Sequence, residues 1–231
     1  MSQSVYHIPR IIAVGGGGFT HACDPTLEDF ILGHVSNHRP RIGYVGTANY
    51  DDPEKIALFH QRFGLLCSVH THLSPQATVA DVGAWVAPLD IVYVGGGNTL
   101  HLIETWRRTG IDAVMVTAAR QGVLMAGVSA GANVWFEHAL SDSGGHGLAP
   151  IDGIGLVAGS CCPHYSTEPL RQPAYLDCIA TGSLPGGIAI DDGAAVLLDG
   201  TGLATVYSAR KGAGAYRITR NGAGMAVSIP L

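Results

Sequence analysis

Four short apolar runs, each closed by glycine, constrain this chain most strongly. They are Arg10–Gly15, Arg41–Gly46, Leu89–Gly95 and Val123–Gly127. Their apolar residues are continuous rather than alternating, which suits strands buried on both faces in a parallel sheet covered by helices. Cys67–Leu73 reads as a weaker strand. Segments with helical spacing separate these runs: Pro25–His38, Pro53–Leu65, Thr99–Thr109 and Ile111–Gln121. Asp24 and Asp52 precede Pro25 and Pro53, the pattern of a cap followed by proline in the first helical turn. Such alternation implies an α/β fold on an open, mostly parallel sheet. Beyond Gly193 the pattern changes to short strand-like pieces, Ala194–Leu198, Leu203–Ala209, Ala215–Ile218 and Met225–Ile229. Asp199-Gly200 and Asn221-Gly222 punctuate them as hairpin signals, so an antiparallel C-terminal extension is expected. No linker, low-complexity tract or repeat interrupts residues 1–231, and one domain is expected.

Composition narrows the function. Charged residues make up 13% of the chain and the formal charge is −5, with only two lysines, Lys55 and Lys211. A phosphate backbone would meet no basic field, which argues against nucleic acid as a partner. No apolar stretch approaches the roughly 18 residues of a membrane span, and Met1–Arg10 lacks a signal-peptide core. The five cysteines (Cys23, Cys67, Cys161, Cys162 and Cys178) are odd in number and form no CxxC pair. They imply reduced thiols in the cytoplasm rather than a disulfide framework or zinc site.

The chemistry concentrates at Gly127-Val128-Ser129-Ala130-Gly131. This G-x-S-x-G follows the apolar run and opens a stretch with helical character, Ala130–His138. Strand, sharp turn and helix together form the setting of a nucleophile elbow, in which small flanking residues lift the serine above the sheet edge. The competing reading of such a run is an ordinary strand-to-helix turn. A second glycine cluster, Gly95-Gly96-Gly97-Asn98-Thr99, also ends a strand, and loops at strand C-termini gather around one crevice. Amides of Gly97 and Ala130 then suit a two-donor oxyanion hole. Neither this loop nor Gly15–Gly18 has the spacing of a nucleotide-binding fingerprint. Serine needs a base. Among eleven histidines, His164 in Cys161-Cys162-Pro163-His164-Tyr165 stands out because Pro163 fixes the backbone before it; His146 ranks second.

Taken in order, the Gly95–Thr99 loop, the Gly127–Asn133 segment and Pro163-His164-Tyr165 resemble the peptidase E family of serine peptidases. Ile11–Phe19 is similar to the start of one branch of that family, and the likeness runs from about residue 10 to 218. The resemblance implies a three-layer, flavodoxin-like fold related to class I glutamine amidotransferases, with Ser129 as nucleophile and His164 as base. It offers two acids, Asp142 and Asp192. An unbroken helix from Ala130 to Leu140 would carry Asp142 about 15 Å from the elbow. Asp192 follows the apolar run Gly187–Ile190 and would sit near the crevice. Both remain open at this point, against the plainer reading of turn or cap residues.

The implied substrate is a short peptide, such as a dipeptide with N-terminal aspartate, and no metal or organic cofactor is needed. Arg171 is the candidate cation for a substrate carboxylate, with Asn98 as a second contact; a surface arginine at a helix start is the alternative. The stretch between His164 and Arg171 is shorter than in aspartate-specific members. A cyanophycinase-like hydrolase of aspartyl polymers and a non-catalytic binding protein are the competing functions. A homodimer is compatible with the sequence.

Overall fold

The computed structural model describes residues 7–200 and 204–231. In its first half, strands β1 (Ile11–Val14), β2 (Arg41–Val45), β3 (Val69–His72), β4 (Ile91–Val94) and β5 (Leu124–Val128) alternate with helices. These are α1 (Thr26–Leu32), α2 (Pro53–Phe63), α3 (Val79–Val86), α4 (Thr99–Thr109) and α5 (Ile111–Arg120). Then follow α6 (Ala130–Asn133), β6 (Phe136–Ser141), β7 (Ala149–Asp152), β8 (Val157–Pro163), α7 (Arg171–Thr181) and β9 (Gly187–Ile190). The C-terminal strands are β10 (Ala194–Leu198), β11 (Ala204–Ser208), β12 (Ala215–Arg220) and β13 (Ala226–Pro230). They match the expected antiparallel pieces, apart from Leu203, which lies outside the described residues.

Two sheets result. The first has the order β11-β10-β1-β5-β4-β2-β3, parallel from β1 through β3 and antiparallel at β10 and β11. The second, β13-β12-β9-β8-β6-β7, is parallel at its centre and antiparallel at both edges. The C-terminal extension is therefore divided: β10 and β11 lengthen the first sheet, while β12 and β13 complete the second.

Successive residues of the first sheet point to opposite faces. Ile12, Val14, Tyr44, Tyr93 and Val128 pack with Leu27, Phe59 and Phe63 of α1 and α2. Ile11, Ala13, Val94 and Met125 pack with Leu102, Trp106 and Met115, and with Phe136, Cys161 and Ile190 of the second sheet. Helix α7 covers that sheet's outer face through Tyr175 and Ile179 on Cys162, Ala189 and Ile218. Burial on this scale contributes about 1.5–3 kcal/mol for each large apolar side chain. The arrangement is α/β in three layers, the second sheet lying in the layer of α3–α5.

Several expectations require correction. The helix after Ser129 ends at Asn133 and does not reach Leu140. Val134 and Trp135 form a fully buried turn, and Phe136, buried with them, opens a strand, where a bulky aromatic packs better than in a helix. Phe136 pairs with Val157 and Ala139 with Cys161, so the segment enters a sheet instead. Helix α3 was not anticipated, although Thr78 and Asp81 form a full capping box at its start, whereas α7 begins at Arg171, the helix start offered as the alternative for that arginine. Helix α1 stops at Leu32 rather than His38, and Asp24 makes no cap there, because its carboxylate is held by Arg210. Asp52 does cap α2, accepting from the Glu54 amide at 2.9 Å. Among the described residues, no helix is long and apolar enough to cross a membrane.

Candidate active site

Strand β5 delivers Ser129 into a turn that only glycine flanks can make. A Cβ at Gly127 would lie 2.1 Å from the Gly131 carbonyl oxygen, and one at Gly131 would lie 2.1 Å from that of Val94. Ser129 itself sits at φ 56°, ψ −113°, a strained backbone for a non-glycine residue. Its amide donates to the Val14 carbonyl at 3.0 Å, tying the turn to β1.

Strand β8 delivers His164 from the second sheet, also at φ 56°. Its Nε2 stands 2.8 Å from Ser129 Oγ and its Nδ1 stands 2.6 Å from Asp192 Oδ1. A carboxylate facing Nδ1 holds the proton on that nitrogen, which leaves Nε2 free to accept from the serine hydroxyl. Asp192 follows β9 and bridges to Gly16 after β1. Burial pushes its carboxyl pKa up, but the hydrogen bond and charge of His164, helped by Thr167 and Arg210, outweigh burial and hold it below the ordinary value. The carboxylate is therefore ionised at neutral pH.

Asp142 stands elsewhere. Its carboxylate is exposed and lies 3.8 Å from Arg171 Nη2, with no hydrogen bond to His164. Arg171 is buried: its Nε donates to Glu168 at 2.5 Å and its Nη1 to the Leu140 carbonyl at 3.3 Å. Its guanidinium thus joins α7 to β6, rather than standing as a free cation. The Asn98 side chain caps α4, accepting from the His101 amide at 2.8 Å. His146 is exposed and bonds neither Ser129 nor Asp192.

The Gly95–Thr99 loop lies against the elbow: a Cβ at Gly96 would come within 3.2 Å of Ser129 Cβ. Gly97 has φ 141°, and a Cβ there would lie 2.2 Å from the Ala48 carbonyl oxygen. Its amide has no acceptor among the described residues. The Ala130 amide, at the first helical position, has none within its helix. The loop is pinned through Thr99: its amide donates to Ser143 Oγ at 3.0 Å, and its hydroxyl accepts from Asn133 and Ser141.

Sequence reasoning overlooked Gly16. A Cβ at this position would fall 2.1 Å from Asp192 Oδ1 and 2.7 Å from His164 Nδ1, so glycine alone leaves room for the pair. The signal lies in the run Gly15–Gly18, within the Ile11–Phe19 motif. A cavity of about 560 Å³, lined by Ile8, Val157, Ile188, Leu198 and Arg217 among others, lies at the opposite ends of the strands and touches none of these residues. Among the described residues, no group of three or more His, Cys, Asp or Glu is arranged to hold a metal ion.

Comparison with known proteins agrees with this architecture. Over 211 residues, 90% of this chain and 91% of the relative, the sequence is 40% identical to a Bacillus subtilis (strain 168) protein named uncharacterized peptidase YgaJ. A shorter match, 46% over 57 residues and 25% of either chain, is to peptidase E of Citrobacter koseri. The crystal structure of a peptidase from an acI-B1 actinobacterium superposes with a TM-score of 0.72 at 20% identity, covering 98% of this chain and 99% of that one. The sequence model of peptidase family S51 matches residues 11–206, and the chain belongs to that family.

Proposed function

We propose that this peptidase-family chain is a serine peptidase acting on short peptides, with Ser129 as nucleophile, His164 as general base and Asp192 as the orienting acid. The observation that carries the reading is the continuous chain from Ser129 Oγ to His164 Nε2, at 2.8 Å, and from His164 Nδ1 to Asp192 Oδ1, at 2.6 Å.

In this mechanism His164 takes the hydroxyl proton as Ser129 Oγ attacks the peptide carbonyl carbon. The amides of Gly97 and Ala130 receive the negative charge that develops on the carbonyl oxygen. The imidazolium, steadied by ionised Asp192, then gives its proton to the leaving amine, and the C–N bond breaks. Water, deprotonated by His164, then attacks the acyl carbon; the ester C–O bond breaks and the proton on His164 returns to Ser129 Oγ.

The finer reading of the substrate is a dipeptide with N-terminal aspartate, with Arg171 as its cation. For that role Arg171 would have to leave Glu168 and the Leu140 carbonyl, its present partners. Its buried pairing favours a structural part joining α7 to β6, and leaves the amino-terminal preference to other residues.

The test is labelling with a fluorophosphonate probe. Wild type is expected to react at Ser129 and to cleave dipeptides. Ser129→Ala should keep the fold, lose labelling and lower turnover by several orders of magnitude. Hydrolysis by Ser129→Ala near the wild-type rate would remove the mechanism.

A further inference from the structure

We infer that Asp191 is a positioning residue: its buried carboxylate fastens the segment that carries His164 and so aims the imidazole at Ser129. This inference rests on the reading of Ser129 and His164 as nucleophile and base.

Asp191 and Asp192 are adjacent at the end of β9, and their carboxylates serve different partners. Asp192 holds the imidazole. Asp191 is 4% exposed and gathers three donors from two other segments. Its Oδ1 accepts from the Ser166 amide at 3.1 Å, and its Oδ2 accepts from the Gly214 amide at 3.0 Å and the Tyr216 hydroxyl at 3.3 Å. All three donors are neutral. Burial and the neighbouring Asp191 carboxylate push the Tyr216 phenol up, which keeps it protonated and donating.

Ser166 is two residues beyond His164, whose backbone is strained at φ 56°. A residue in that region keeps its conformation only when its surroundings over-determine it. The Tyr165 amide donates to the Ile190 carbonyl at 3.1 Å, and the Ser166 amide to Asp191. The two amides that follow His164 are thus bound to the two residues that precede Asp192. Imidazole and carboxylate are registered against each other through one short stretch of β9. Gly15 completes the clamp, because only a residue without Cβ can approach the Asp191 carbonyl oxygen, which an added Cβ would meet at 2.2 Å.

Asp191→Asn is the sharp variant. A carboxylate accepts on both oxygens, whereas an amide must turn its NH₂ toward either the Ser166 amide or the Gly214 amide and Tyr216 hydroxyl. One anchor is lost at nearly constant volume. The readout is saturation kinetics of fluorophosphonate labelling at Ser129, separating the maximal inactivation rate from the concentration for half-saturation. The inference expects the maximal rate to fall about 10- to 100-fold with half-saturation unchanged within about threefold, since the chemical step and not the crevice is disturbed. A purely structural Asp191 would lower thermal stability or the fraction of protein that labels, but leave the maximal rate of the labelled fraction alone. A maximal rate within twofold of wild type therefore overturns the inference. Should Asp191→Asn not fold, Tyr216→Phe removes one donor from the same carboxylate: a rate two- to fivefold lower supports the role, and an unchanged rate overturns it. A wild type that does not label at Ser129 overturns the serine reading itself, and the inference with it.

Discussion

Ser129 and His164 meet at 2.8 Å while both hold their backbones at φ 56°, each at the end of a strand from a different sheet. Left-handed conformations at non-glycine residues cost on the order of 1–3 kcal/mol apiece, and both are sustained by bonds to neighbouring strands. The Ser129 amide is held by Val14 and the Tyr165 amide by Ile190. The contact therefore depends on how the two sheets dock. Neither sheet alone contains the pair.

Replacement of the acid should separate the two aspartates. Asp192→Asn is expected to lower turnover about 10⁴-fold with little loss of fold, the scale seen when an orienting aspartate becomes its amide. Asp142→Asn, whose carboxylate lies 3.8 Å from Arg171 Nη2 and not on His164, should stay within about threefold of wild type. Steady-state kinetics on one dipeptide decides between them. A large loss in Asp142→Asn with near-normal Asp192→Asn would reverse the assignment.

Arg171→Ala should act on stability rather than on selectivity. Its side chain is 7% exposed and bridges Glu168 to Leu140, so the fold is expected to lose about 2 kcal/mol, the scale of charge-assisted hydrogen bonds. Denaturant unfolding measures that loss. Cleavage of Asp-initiated and neutral dipeptides should fall by the same factor; a selective collapse on Asp-initiated peptides would restore Arg171 as the specificity cation.

Glu28 sets a pH dependence of stability. The residue is fully buried beneath the glycine run, accepting from the Phe19 amide at 3.0 Å, and burial pushes its carboxyl up to about 7 from 4.5, against the opposing pull of Phe19 and Arg62. Folding thus favours the protonated form. That contribution is complete below about pH 4.5 and is lost as pH rises toward about 7, amounting to about 1–3 kcal/mol. Glu28→Gln should flatten this part of the profile, so the stability difference, wild type minus variant, declines across the window. Thermal unfolding at pH 4.5, 6 and 7.5 tests it. A difference independent of pH would mean that Glu28 does not titrate there.

The parallel strands of the first sheet were legible because each is a short apolar run stopped by glycine, and such runs have few other ways to bury both faces. Ser129 and its turn were legible for a related reason: the elbow needs Gly127 and Gly131 at fixed offsets, so local backbone geometry is written directly into the motif. His164 followed from Pro163 beside it and from the ordered motifs around it. The second sheet was not legible. Residues Ala130–Leu140 carry a pattern compatible with helix, and only the partners Val157–Cys161 and Ala149–Asp152 turn Phe136–Ser141 into a strand. That change carried the choice of aspartate with it. Asp142 and Asp192 are the same residue type and both precede small residues, so local sequence cannot rank them. Side-chain reach is a few ångströms, and which carboxylate stands within 2.6 Å of His164 was decided by the docking of β8 and β9 against β1, where Gly16 leaves the space. The sequence by itself determined the nucleophile turn and the α/β alternation, because both are local. Tertiary structure alone decided which carboxylate faces His164, the pairing of Arg171 and the anchoring of Ser166 by Asp191, because each joins residues whose separation is set by packing.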